Sequence, residues 1–560
     1  MNLLGNGADK NFWAEVREKE CFEKFRSELH KLWSEQCNSE RFLTLSYTDF
    51  KRYFVSGDRA IYEGKYFPRR LALDSSALLA LIYPEEEKYL DYLMDMTYTI
   101  LNEYTWCLPA HQRVLEENNN SRIDLFAAET AFALSEIYSL LEDRLDPLIK
   151  NRIKAEVERR VITPFLEKEP YDFWECGNTN WTAVCTASVA GTIMYLFPDI
   201  AKTLIPRFNR SMDAYLEGFK DDGICAEGVH YWHYGFGFFT VYADMVKKFT
   251  CGDVDYFKLD KVKTVATFIQ KMFLSGKSAV SYADGFMYLE YHLGLLHYLK
   301  KNYPDDVKVY DISYSYNYDR CGRFCLHLRS ALWFCEKYYT DPDKVGEPSE
   351  YYADGTEWLV KNTEKYGFSA KGGHNNELHN HNDVGSFIYA KDGEQIFVDM
   401  GGGLYSRQYF SEERYTILEA NSFGHSVPII NGEGQRFGEE YCAKDTRYSK
   451  GSFSLDMSGA YAIEDLKSLK RSFSFNDTSV SLNDSFDYVG DGVITERFIL
   501  SHEPKIEGNK ITIGNTVISV LTGGCEFSFS THTLKNKKDV YLLDAKLPRG
   551  EMSFAMNIEE

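Results

Sequence analysis

The chain has 560 residues, 44% of them hydrophobic and 15% aromatic, more than one core usually organises, so two domains or three are expected. Its formal net charge of −21 argues against nucleic acid or a membrane surface as partner, because both call for basic patches. An acidic ligand stays open, since a metal or a few Arg and His residues supply positive charge locally.

The 12 cysteines have no regular spacing and read as thiols, with Cys321 and Cys325 the closest pair. No apolar run reaches membrane-spanning length and no secretory pattern opens the chain, so a cytoplasmic protein is expected. The 40 tyrosines and 38 phenylalanines exceed what packing needs, and aromatic walls with polar tips suit sugar rings.

From Phe12 to about Tyr303 the pattern is helical, with amphipathic stretches at 73–82, 86–103, 125–141, 147–166, 181–197, 200–219, 234–249 and 258–274. Short links predict antiparallel pairs, stacked as a solenoid or closed into a ring. Three spots carry more polar chemistry than a bundle needs. Trp106 and His111 flank a proline that ends a helix; Asn178 and Asn180 precede a helix start; and Glu227-Gly228-Val229-His230-Tyr231-Trp232-His233-Tyr234-Gly235 gathers imidazoles and aromatics. An N-cap role accounts for one of the two amides.

From Gly322 the text turns to β, with strands expected at 323–328, 331–334, 452–455, 494–500, 511–520 and 525–530. Helices followed by strands give a helical domain over 1–305 and an antiparallel β domain over 306–560, with a ligand cleft expected between them. The densest polar stretch, from Gly372 through His374, His379, His381 and Asp383 to Phe387, precedes a hairpin turning at Asp392-Gly393. Pairing about that turn sets Asp399 opposite Ser386, so His381 meets Asp399 only if the chain before Val384 curls back over the sheet.

His381, Asp399 and His425 form a ligand set for one divalent metal, zinc first, with manganese or calcium as alternatives. His379 is left for substrate. Tyr231, Tyr234, His230 and His379 are available for acid–base work, although a tyrosine with its ordinary pKa of about 10 needs a nearby positive charge to act as base. Arg414 adds a cation. A glycoside hydrolase would instead need a carboxyl pair, for which Glu227 with Asp222 or Glu129 with Asp124 could serve. A non-catalytic glycan-binding protein is the other alternative.

The ordered set of Asn180-Trp181, Glu227 to Gly235, His379-Asn380-His381-Asn382-Asp383, Gly393 to Gly401 and Gly424 to Gly432 resembles the heparinase II/III-like family of polysaccharide lyases over most of the chain. The resemblance implies an (α/α) helical toroid followed by an antiparallel β-sandwich, and cleavage of a uronic-acid glycan by β-elimination. It implies that Asn180 neutralises the uronate carboxylate, that Tyr231, or Tyr234 if the register slips, is the catalytic tyrosine, and that His379 is the substrate-side histidine. The metal ligands it implies are His381, Asp399 and His425. Trp106, His111, Asn178, His230, Trp232 and Arg414 are the candidate substrate contacts. Several relatives have a histidine directly after the amide, where this chain has Trp181, which shifts the weight to His379. The expected partner is an acidic oligo- or polysaccharide, with self-association into a homo-oligomer left open.

Overall fold

The computed structural model describes residues 2–37, 44–115, 120–288, 293–310, 319–338 and 347–559. Two compact units interleave along the chain. The first comprises Met1–Gly218, Trp232–Ala266 and Glu290–Thr340; the second comprises Phe219–Tyr231, Thr267–Leu289 and Asp341–Glu560. The helical region thus precedes an antiparallel sheet region, as expected, but two short segments from within the helical stretch belong to the sheet unit.

In the first unit, Leu125–Leu141 and Asn180–Leu196 are buried nearly all round and pack on each other, while Pro198–Glu217 and Gly237–Phe249 pack against Asn180–Leu196. The close approach has a local cause: a Cβ at Gly191 would lie 2.3 Å from the Phe132 ring. Asp124 caps Leu125–Leu141 by accepting from Ala127 N–H at 2.8 Å, and Pro198 opens Pro198–Glu217, where its missing N–H costs nothing. The stretch expected to be helical over 147–166 contains a π-helical turn, Glu158–Ile162. There Arg160 donates to the Glu103 and Tyr104 carbonyls and stacks 4.7 Å from the centre of the Trp106 ring.

Two expectations are corrected. The helix foreseen over 258–274 stops at Ala266, and Phe273–Ser275 pairs with Ser278–Ala279 as a small hairpin of the second unit. The strands foreseen at 323–328 and 331–334 are one helix, Phe324–Leu332, buried on almost every side. Its polar residues His327, Arg329 and Ser330 are buried along with the apolar ones, so no solvent face marks a helical period in the sequence. The polar groups inside it are paired, Arg329 with Glu136 at 2.8 Å and His327 with Asp74 at 2.9 Å. Among the described residues no helix is long and apolar enough to cross a membrane, and all 12 cysteines are free thiols.

The second unit is a sandwich. In one sheet Ser349–Ala353, Trp358–Asn362, Tyr366–Lys371, Phe387–Lys391 and Glu394–Phe397 are successive antiparallel neighbours, continued by Ile494–Leu500, Asp539–Lys546 and Glu526–Thr533. The other sheet runs Lys444–Ser449, Ser452–Asp456, Leu466–Phe475, Ser479–Tyr488, Ser553–Glu559, Thr516–Val520, Lys510–Ile513 and Lys505–Glu507. Leu466–Phe475 and Ser479–Tyr488 alternate buried and outward residues, and their inner rings meet those of the first sheet, including Phe368 with Phe473 at 5.1 Å. The hairpin at Asp392-Gly393 forms with a bulge between Tyr389 and Ala390 that pairs Tyr389 with Phe397, so the simple register that set Asp399 opposite Ser386 is shifted by one.

A charge network sits inside this core. Arg471 binds Asp484 through two nitrogens and Glu496 at 3.1 Å, all fully buried, and donates to the carbonyls of Gly385 and Ser426. Burial and the neighbouring Asp484 push the Glu496 carboxyl well above the usual range, so one cation faces one anion and one neutral acid. Arg471→Met removes the cation and strands Asp484 in the core. It is expected to destabilise the sandwich by about 3–5 kcal/mol, read by urea unfolding with hydrogen exchange at the strand amides; an unchanged exchange midpoint would contradict this account.

Candidate functional site

In the second unit the turn Tyr282-Ala283-Asp284-Gly285 carries a carboxylate with no solvent exposure. A Cβ at Gly401, whose φ is +64°, would lie 2.2 Å from the Gly285 carbonyl, so only glycine lets the loop after Asp399 approach this turn. Asp284 Oδ2 accepts from His379 Nδ1 at 2.6 Å and from the Tyr405 hydroxyl at 2.9 Å. Its Oδ1 accepts from His381 Nε2 at 3.1 Å, from Arg414 Nη2 at 3.1 Å and from the Tyr409 hydroxyl. Burial favours the neutral acid, but the hydrogen bonds from His379 and His381 outweigh it and hold the carboxyl well below the usual range.

An ionised carboxylate can only accept, so the protons in this cluster are assigned. His379 donates from Nδ1, and its Nε2 lies 3.5 Å from Glu227 Oε2. The Tyr405 hydroxyl spends its one proton on Asp284, so the 2.6 Å contact between Tyr231 and Tyr405 has Tyr231 donating. The Tyr231 ring stacks on His379 with centroids 4.2 Å apart. Burial first, and the Asp284 charge second, lift the Tyr231 hydroxyl well above its ordinary value, so it stays protonated. The positive neighbour that would make it a base is replaced here by an anion.

His379 itself has φ +56°, a left-handed conformation that costs a non-glycine residue about 1–3 kcal/mol. Arg414 clamps it, donating to the carbonyls of His379 and Asn380 at 3.0 Å each and to that of Tyr409 at 3.2 Å. With its donors spent this way, Arg414 holds the loop rather than presenting an open guanidinium. His230 is partly exposed and meets Phe286 edge to face at 4.9 Å.

His381, Asp399 and His425 come together: one ligand atom from each lies within 4.8 Å of the others, and all three are buried. The chain before Val384 therefore does curl back. His381 Nε2 is taken by Asp284, while its Nδ1 is buried with no hydrogen-bond partner among the described residues. His425 Nε2 meets the Glu419 carbonyl at 3.1 Å, and its Nδ1 faces Asp399 Oδ2 at 3.1 Å. Each imidazole is held through Nε2 and turns Nδ1 inward, the arrangement a metal-binding imidazole needs. Burial lowers the pKa of His381, which suits a neutral ligand. The donor set fits a divalent cation.

The remaining predicted residues lie in the first unit. Asn180 starts Asn180–Leu196 and is 5% exposed; a Cβ at Gly235 would come within 3.1 Å of its Cβ and 2.8 Å of the Tyr215 hydroxyl, which explains that glycine. The Tyr234 hydroxyl donates to Glu129, with Arg323 3.9 Å from the ring centre, and burial lifts Glu129 to about 7. Trp106 and Trp232 are fully buried, donating to the carbonyls of Ile100 and Val265, so both pack the core. His111 binds Asp124 at 2.6 Å and meets Trp181 at 4.8 Å, and Asn178 is exposed.

The sequence reading missed Asp284, Tyr405 and Tyr409. Asp284 stands alone among Ser, Tyr, Ala and Gly, and the available signal was the tyrosine following the three glycines 401–403.

No family model matches the chain, and no curated protein does. Among solved structures it is similar to a heparinase III, with a TM-score of 0.60 and 12% identity over 100% of this chain and 92% of that one. It is similar to the heparan sulfate lyase HepC from Pedobacter heparinus, with a TM-score of 0.57 and 11% identity over 100% of this chain and 87% of that one. It is also similar to the Streptomyces coelicolor A3 chondroitin AC lyase in complex with chondroitin sulphate, with a TM-score of 0.53 and 10% identity over 98% and 82%. At such identities the likeness is one of fold: the chain has the heparinase III-like polysaccharide lyase fold, a helical toroid followed by an antiparallel β-sandwich.

Proposed function

We propose that this protein is a polysaccharide lyase that cleaves a uronate-containing glycan by β-elimination. The observation that carries the reading is the stack of Tyr231 on His379, with both side chains tied to one ionised Asp284, directly and through Tyr405. The elimination removes the proton on C5, forms the C4–C5 double bond and breaks the bond from C4 to the leaving oxygen. In this reading Asp284 accepts from His379 Nδ1 and so leaves Nε2 as the atom that takes the C5 proton when the imidazole is neutral. Tyr231, kept neutral, gives its hydroxyl proton to the leaving oxygen, and Tyr405 can turn its own proton toward the oxygen left behind. Charge building on the uronate carboxylate has to be met by donors, a role the sequence resemblance gives to Asn180.

His381, Asp399 and His425 would hold a divalent cation, and we propose zinc from the two-imidazole, one-carboxylate donor set. Such a cation would act as a structural centre that fixes the loops carrying His379 and His425.

A hydrolase reading has a weaker basis. Glu129 is committed to Tyr234 and Arg323, and Asp124 caps a helix and binds His111.

Tyr231→Phe is expected to lower kcat by roughly 10²–10⁴-fold, measured as ultraviolet absorbance of the unsaturated product, with circular dichroism unchanged. Full activity in Tyr231→Phe with loss in Tyr234→Phe would move the role to Tyr234, and full activity in both ends the mechanism. Asp284→Asn keeps the shape but removes the charge that orders five donors, and should cost kcat at least as much as Tyr231→Phe while KM changes little. Removing metal with a chelator should lower the melting temperature, and zinc should restore it more fully than calcium; metal content below one tenth per chain in protein purified without chelator would refute the centre.

A further inference from the structure

The turn between Glu526–Thr533 and Asp539–Lys546 reads Leu534-Lys535-Asn536-Lys537-Lys538, three lysines within four residues on a chain of net charge −21. It is a built turn: Leu534 N–H donates to the Lys538 carbonyl and Lys537 N–H to the Leu534 carbonyl, both at 2.8 Å, with Lys537 at φ +65°. Lys535 donates to the Gly403 carbonyl at 3.2 Å, and its ammonium sits 5.6 Å from the centre of the Phe286 ring and 5.4 Å from that of Tyr405. The Lys538 ammonium sits 5.5 Å from the centre of the Tyr288 ring.

Phe286 is 47% exposed and Tyr288 is 38% exposed, although both belong to the segment that carries Asp284. Phe286 meets His230, the neighbour of Tyr231, and Tyr405 is the hydrogen-bond partner of Tyr231. Exposed rings therefore lie beside the neighbours of Tyr231, with ammonium groups next to them. Aromatic faces take the C–H face of a sugar, and a cation on a ring is aimed rather than free to wander. On a strongly acidic protein, an acidic chain is repelled at range and needs such local cations to seat it.

We infer that Phe286, Tyr288, Lys535 and Lys538 form a subsite for the sugar next to the one cleaved, and that its lysines read an acidic group on that sugar, a sulfate ester or a second carboxylate. What is cleaved rests on the lyase reading above; what is bound does not. Lys535 also steadies the Gly403 loop, so a loss of activity alone would not separate recognition from support. Preference between substrates does.

The test uses three tetrasaccharides of one uronate backbone: sulfated, desulfated, and desulfated with the non-cleaved carboxyl reduced to an alcohol. Affinity is measured by calorimetry in Tyr231→Phe protein and kcat/KM in otherwise unaltered protein. Lys538→Ala and Lys535→Ala should each weaken binding of the acid-bearing sugar about tenfold, the loss of one charge-assisted contact, and pull its preference over the neutral sugar toward one. Lys538→Arg should retain most of it. Collapse of the sulfated-to-desulfated ratio identifies the sulfate, and collapse of the desulfated-to-reduced ratio identifies the carboxylate. Equal losses on all three sugars, unchanged ratios, or no binding of any of them would overturn the subsite. If unaltered protein binds but cuts none, the lyase reading fails while the affinity ratios still decide the subsite.

Discussion

One buried carboxylate, Asp284, sets the geometry on which the candidate site depends. A charge with no water around it is tolerated only when donors surround it, and five converge here from His379, His381, Tyr405, Tyr409 and Arg414. Because the carboxylate can only accept, each donor is fixed in direction as well as position. The tautomers of two imidazoles, the rotation of two hydroxyls and the plane of one guanidinium follow from a single negative charge. The two imidazoles then face different tasks, His379 toward Tyr231 and His381, through its inward Nδ1, toward Asp399 and His425.

The sandwich delivers this arrangement by repeating the same physics in its core. Arg471 is a buried cation, and besides its carboxylates it satisfies the carbonyls of Gly385 and Ser426. Gly385 lies four residues after His381, and Ser426 directly follows His425. The core charge thus anchors the chain next to both predicted metal-binding imidazoles, while the Asp284 turn secures the other side of His381. Rigid strands under an irregular loop layer are how precise side-chain placement is usually achieved.

Where local signals agree with the fold, the sequence was readable. Leu125–Leu141 has an N-cap aspartate and unbroken helix formers, and its bounds are those expected. Phe324–Leu332 was misread because its polar residues His327, Arg329 and Ser330 are buried and paired inside, so no solvent face sets the period that would tell helix from strand. The end of the 258–274 stretch was misread because its residues join the other unit, a tertiary choice no local pattern records. In the site, His381, Asp399 and His425 were legible because a ligand set has a distinctive chemistry, even though the simple hairpin register argued against their meeting. Asp284 was not legible, since a lone acid beside a glycine is indistinguishable from a solvated turn until its donors are seen.

The charge of Asp284 also bears on how the proposed elimination divides its labour. A tyrosine base needs a neighbour that favours phenolate, and burial together with an anion does the opposite at Tyr231. The hydroxyl therefore keeps its proton throughout the physiological pH range and is always ready to protonate a leaving oxygen. The histidine beside it is oriented by the same carboxylate, which accepts from Nδ1 and turns Nε2 away. The two reacting groups in this reading are thus oriented by one residue that never needs to touch the substrate, and stacking at 4.2 Å keeps them together. A positive charge placed in the position of Asp284 would favour the phenolate of Tyr231 over its hydroxyl and leave the imidazole without its orienting acceptor.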